Sequence, residues 1–288
     1  MFSTIVSPQQ LTQLLAQNSP SCCLLDCRFS LADRQYGQRV YSEGHISGAH
    51  YLDLDKDLAS AVAPGTGRHP LPDMERLVAR LRACGVTAGV QVVVYDDCAG
   101  AMAARAWWLL RGLGLDSVAV FDGGIGAWVS SGGTLSREVP AAIESDLEST
   151  PWPGHWSGTG VFSTAEVQDN LQQAQFVLVD ARSAERFRGE QEPIDPVAGH
   201  IPGALNRPLT DNLDQGRFKS PQLLKQEWEA LLAGRNARQV VHMCGSGVTA
   251  CHNQLAMQIA GLNGSGLYPG SWSEWIQDPQ RPVATGPA

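Results

Sequence analysis

Compact apolar runs alternate with stretches of helical spacing along the whole chain. Residues 22–25, Gln91 to Tyr95, residues 177–179 and the pair Val240 and Val241 are short β-forming runs of the kind that fill a buried parallel strand. Between them lie amphipathic or apolar helical patterns: residues 11–16, the stretch through Trp107, Trp108 and Leu110, and Val248, Cys251, Leu255, Ile259 and Leu262, which Gly261 brings to a stop. Strands alternating with helices predict an α/β fold with a mainly parallel sheet, whose functional loops sit at the carboxyl ends of the strands.

The pattern occurs twice. Asp26-Cys27-Arg28 closes one strand and Asp180-Ala181-Arg182 another; Gly44-His45-Ile46 with Gly48-Ala49 returns as Gly199-His200-Ile201 with Gly203-Ala204. FDGGIGAW at 121–128 matches YPGSWSEW at 268–275. The chain therefore reads as a tandem duplication with domains at 1–135 and 161–288. The stretch 136–160, rich in Pro, Gly, Ser and acidic residues, reads as the linker. Groups present in both halves, Arg28 and Arg182 or His45 and His200, are expected to be buried fixtures of the scaffold. Arg186 differs, because Ala32 stands at its counterpart position.

Superposing the halves places Asp96 where Cys244 stands, so only the second half can carry a nucleophile there. Cys244 ends a strand and is followed by Gly245, Ser246, Gly247, Val248 and Thr249. The two glycines allow the amides of residues 245–249 to turn toward one point, with a helix N-terminus behind them, a nest for an anion at the Cys244 sulfur. Such surroundings favour a reactive thiolate. The plain alternatives are a buried inert cysteine, a helix-capping Ser246, a solvated His69 in a Gly/Pro loop, and an Arg186 that pairs with Glu185 on the surface. Trp272, Trp275 and Cys251 read as core.

Bulk composition narrows the partners. A chain of 288 residues with 43% hydrophobic residues is long enough for two cores. A net charge of −8 with no basic run argues against a nucleic-acid or anionic-membrane partner, and no apolar run is long enough to span a bilayer. Seven scattered cysteines with no C-x2-C spacing suggest neither a disulfide framework nor a metal site, and fit a reducing cytoplasm. No cofactor is expected.

These motifs together resemble the two-domain rhodanese-type sulfurtransferases over essentially the whole chain. The Cys-Gly-Ser-Gly-Val-Thr loop is similar to that of the 3-mercaptopyruvate-using members, whereas thiosulfate-using members usually carry basic residues where Gly245 and Ser246 stand. The resemblance implies a Cys244 persulfide, loaded from a small anionic sulfur donor and discharged to a thiol, cyanide or a thioredoxin-like acceptor. It also implies a relay of Asp55, His69 and Ser246 reaching the cysteine from both domains, and a substrate-binding role for Arg186. These enzymes generally place a second substrate arginine in a Glu-Pro-Arg segment, but Glu192-Pro193 is followed here by Ile194. Thiosulfate:cyanide sulfur transfer is the alternative activity, and a non-catalytic sulfur-binding module a third reading. A cysteine phosphatase is disfavoured, because its loop needs an arginine where Ala250 stands.

Overall fold

The computed structural model describes residues 1–16, 22–142 and 154–287. The chain packs into two units: residues 1–60 with 72–157, and residues 61–71 with 158–288. The segment 61–71 thus belongs by packing to the second unit, although it lies within the first half of the sequence.

In the first unit the chain runs β1 (Ile5–Val6), α1 (Pro8–Ala16), β2 (Cys22–Asp26), α2 (Tyr36–Glu43), β3 (His45–Ile46), β4 (His50–Tyr51), α3 (Met74–Ala83), β5 (Gln91–Tyr95), α4 (Ala103–Gly112), β6 (Val118–Phe121), α5 (Gly124–Ser130) and β7 (Leu135–Ser136). Its main sheet has the order β1-β6-β5-β2-β4, with every pairing parallel. The central strand β5 is buried on both faces, as its unbroken apolar run requires. Helix α1 begins at Pro8, ahead of its apolar pattern, because Ser7 and Gln10 cap it reciprocally through Gln10 N to Ser7 Oγ and Ser7 N to Gln10 Oε1.

The second unit continues with α6 (Thr164–Gln173), β8 (Val177–Asp180), α7 (Ala184–Arg188), β9 (Leu205–Asn206), β10 (Leu213–Asp214), β11 (Arg217–Phe218), α8 (Pro221–Leu232), β12 (Val240–Met243), α9 (Ala250–Ile259), β13 (Gly266–Leu267) and α10 (Ser271–Trp275). Its parallel sheet has the order β13-β12-β8-β9, and β10 and β11 form a separate antiparallel pair. Trp272 and Trp275 are fully buried in the core of this unit.

The repeated residues do the same job in both units. Arg28 forks onto Asp26 and donates to Gly44 O at 2.7 Å; Arg182 forks onto Asp180 and donates to Gly199 O at 2.7 Å. Each arginine pins the turn after a central strand to the Gly-His segment. His45 stacks on Tyr41 and hydrogen-bonds its carbonyl through Nδ1, and His200 does both with Phe187.

The stretch read as a linker is partly built into the first unit. Ser136 lies in β7, paired antiparallel with β3, and Trp156 meets Trp108 edge-on with Ser157 N bonded to Gly112 O. Residues 143–153 of it lie outside the described residues.

Candidate active site

Strand β12 delivers Cys244 to the carboxyl edge of the second sheet, where it is 1% exposed. The loop that follows is held at both ends. Cys244 N donates to Ser271 Oγ at 3.1 Å, while Trp272 N and Ser273 N donate to the carbonyls of Cys244 and Gly245. Gly247 has φ +75°, and a β-carbon there would lie 2.3 Å from the carbonyl oxygen of Pro269, so no larger residue fits. Cys251 Sγ donates to Gly247 O at 3.5 Å, adding a loop contact to its packing. Val248 is buried and Thr249 half-buried, and α9 starts only at Ala250 because 248–251 close a tight turn through Cys251 N to Val248 O.

The first unit shows what such a loop holds. Asp96, 1% exposed, accepts four backbone amides: Cys98 N and Gly100 N on Oδ1, Met102 N and Ala103 N on Oδ2. Its carbonyl accepts Ile125 N at 2.9 Å, just as the Cys244 carbonyl accepts Trp272 N at 3.0 Å. Asp96 and Cys244 are therefore structural counterparts. The first unit's nest is filled by the chain's own carboxylate.

His69 and Ser246 come together within the second unit. His69 is 3% exposed, and its Nδ1 lies 2.7 Å from Ser246 Oγ. The hydroxyl that a helix cap would use is engaged by the imidazole, and Thr249, at the N-cap of α9, makes no side-chain cap either. His69 is placed by its neighbours: Gly67 N donates to Glu274 Oε2 and Arg68 N to Ser273 Oγ at 2.9 Å. Asp55 belongs to the first unit, where Arg34 Nε is 3.7 Å away and its amide donates to Asp53 Oδ1. Partial burial raises the Asp55 carboxyl above its ordinary value.

Arg186, on α7, forms a network. It forks onto Glu192 and donates through Nη2 to Asp195 Oδ2 at 3.0 Å. Burial opposes ionisation of Glu192, yet the Arg186 fork and the amides of Asp195 and Ile194 outweigh it and hold the carboxyl below its usual range. Sequence reasoning missed two members, Arg68 and Asp195. Arg68 Nη1 meets Asp195 Oδ1 at 2.5 Å, so one carboxylate spans both arginines. A β-carbon built on Gly245 would lie 3.1 Å from Arg68 Nη2 and 3.6 and 3.7 Å from the two Nη atoms of Arg186. Two guanidinium groups thus flank the residue after the cysteine. The adjacency of Arg68 to His69, together with Ile194 where an arginine is usual, was the available signal. Ile194 itself is 45% exposed.

Burial disfavours the charge of Arg182, but Asp180, Glu192 and Cys244 together raise its pKa above the ordinary arginine value. Elsewhere burial pushes the Cys22 and Cys84 thiols up to about 11, and raises Cys23, Cys27 and Cys98 further. None of the seven cysteines is in a disulfide. Among the described residues no cluster of three His, Cys, Asp or Glu side chains is arranged to hold a metal, and no helix is long and apolar enough to cross a membrane.

Two doubly wound α/β units, one presenting a cysteine in a glycine-bearing loop beside a His–Ser pair and the other an aspartate, define a duplicated cysteine-loop protein. The rhodanese-like domain model matches residues 7–131 and 163–278, and the chain belongs to that family, with two domains in tandem. The chain is 50% identical to a probable 3-mercaptopyruvate sulfurtransferase of Pseudomonas aeruginosa, over 98% of each chain. It is 38% identical to a putative thiosulfate sulfurtransferase of Mycobacterium tuberculosis, over 99% of this chain and 98% of the relative. The solved 3-mercaptopyruvate sulfurtransferase of Leishmania major superposes with a TM-score of 0.82 at 30% identity, covering 95% of this chain and 74% of that one.

Proposed function

We propose that this protein is a sulfurtransferase that takes sulfur from 3-mercaptopyruvate and passes it on through a persulfide on Cys244. The Cys244 thiolate attacks the donor sulfur, the C–S bond breaks, and its electron pair leaves as the enolate of pyruvate. The proton that the donor thiol gives up ends on the methyl carbon, so persulfide and pyruvate balance donor and thiolate. That proton needs a carrier, and the observation that carries the reading is the 2.7 Å contact of His69 Nδ1 with Ser246 Oγ in the cysteine's own loop. By analogy with the loop amides that hold Asp96, the amides of Gly245, Gly247, Val248 and Thr249 are the proposed cradle of the persulfide. An acceptor nucleophile, a thiol, cyanide or a thioredoxin-like protein, then takes the outer sulfur and restores the thiolate. Asp55 keeps the role of third relay member that the family resemblance gives it. The free thiols fit a cytoplasmic setting.

Thiosulfate is the second reading, favoured by the two guanidinium groups at Gly245, which supply positive charge that the loop sequence lacks. Comparing kcat/KM for the two donors on one sample decides between them, with mercaptopyruvate expected to be preferred. Intact mass after donor treatment should show one added sulfur, and Cys244→Ser should remove both the sulfur and turnover. A preference for thiosulfate, or turnover by Cys244→Ser, would overturn the proposal.

A further inference from the structure

The resemblance leaves the donor's carboxylate half-held, because Ile194 stands where a second arginine is usual. Ile194 is 45% exposed, and its amide is committed to Glu192 Oε1. The buried residue of that segment is Asp195, whose two oxygens reach different arginines: Oδ1 takes Arg68 Nη1 at 2.5 Å and Oδ2 takes Arg186 Nη2 at 3.0 Å. A single carboxylate so placed sets the spacing of the two guanidinium groups. It does not exhaust their donors. Arg68 Nη2 is 3.5 Å from Asp195 yet only 3.1 Å from where a β-carbon on Gly245 would be. Arg68 Nε is buried with no hydrogen-bond partner among the described residues, a cost that a bound anion would relieve.

We propose that Arg68 and Arg186 form a two-guanidinium clamp for the donor's carboxylate, with Arg68 supplying from segment 61–71 the group that Ile194 cannot. The assignment of mercaptopyruvate as donor rests on the preceding reading; the clamp itself requires only a carboxylate beside Gly245. A planar carboxylate offers one oxygen to each guanidinium, and the charge-assisted pairing fixes its orientation as well as its affinity. It also gives Gly245 a reason beyond backbone freedom. Any side chain there would enter the space between the two arginines and the cysteine.

The competing role for Arg68 is mechanical, fastening segment 61–71 to Asp195. Two readouts separate the roles. Alkylation of Cys244 by anionic iodoacetate and by neutral iodoacetamide is followed by intact mass at fixed ionic strength in wild type, Arg68→Gln and Arg68→Lys. A clamp predicts that Arg68→Gln lowers the iodoacetate rate about 10-fold relative to iodoacetamide, whose own rate stays within about twofold, while Arg68→Lys falls between. In steady state with mercaptopyruvate, Arg68→Gln should raise KM about 10- to 100-fold with kcat little changed. Ile194→Arg should move KM by less than about threefold, since the second guanidinium is already present.

Equal slowing of both reagents, or a fall in kcat with KM unmoved, overturns the clamp in favour of a mechanical role. A fall in KM of more than about threefold from Ile194→Arg overturns it as well. A wild type that does not turn over mercaptopyruvate would refute the donor reading alone, and the alkylation ratio would still decide the clamp.

Discussion

A hydroxyl two residues after a nucleophile matters to the chemistry only if its proton can move, and the contact of His69 Nδ1 with Ser246 Oγ at 2.7 Å is the proposed route. The two candidate donors differ in their need for it. Pyruvate leaves as an enolate that must gain a proton at carbon, whereas sulfite leaves thiosulfate as a stable anion. Ser246→Ala is therefore expected to lower kcat with mercaptopyruvate about 100-fold or more and to change thiosulfate turnover far less. Equal losses with both donors would mean that Ser246 only supports the loop. Cys244 and Ser246 were legible in the sequence because one loop carries them. His69 was legible only through family pattern, and Arg68 and Asp195 were not, because a carboxylate bridging residues 68 and 186 is a distance in space that no spacing along the chain encodes.

At the scale of the element, strands and helices followed from apolar runs and helical periodicity, and the places where they shift are governed by hydrogen bonds. Ser7 and Gln10 start α1 early, and the tight turn at 248–251 starts α9 late. The loops after β5 and β12 share an anchor, the Asp96 and Cys244 carbonyls each accepting a backbone amide. Converging amides are costly to leave empty, and the first unit fills its nest with Asp96, which satisfies four of them. Asp96→Ala should therefore destabilise the first unit by roughly 3 kcal/mol or more, since buried amides lose a charged acceptor together. Asp96→Asn, which keeps one accepting oxygen, should cost less. Urea unfolding read from the first unit's tryptophans checks this, and a change below about 0.5 kcal/mol for Asp96→Ala would mean that water satisfies the nest equally well.

For the whole molecule, the duplication was legible as repeated Asp-x-Arg and Gly-His-Ile signatures, because the buried arginine and histidine pins need the same residues in each copy. Segment 61–71 was not. It leaves the first unit after Ser60 and returns at Pro72, and its anchors are the backbone amides of Gly67 and Arg68 with the side chains of Arg68 and His69, which no hydrophobic periodicity announces. Folding of the second unit also carries a pH dependence. His242 sits fully buried in β12, edge-on to Trp228, with neither ring nitrogen hydrogen-bonded among the described residues. Burial lowers its pKa from 6.5 to about 3. Between those values the unfolded chain binds a proton that the folded unit refuses, so the unit is most stable above pH 6.5 and loses stability as pH falls toward 3. At pH 5 the loss from this one group is about 2 kcal/mol. His242→Leu, which cannot take up a proton, should make the stability of the second unit less dependent on pH between 7.5 and 5 by about that amount. The comparison is the urea midpoint of each protein across the range, and parallel pH profiles for wild type and variant would show that His242 is protonated at no cost in the folded unit.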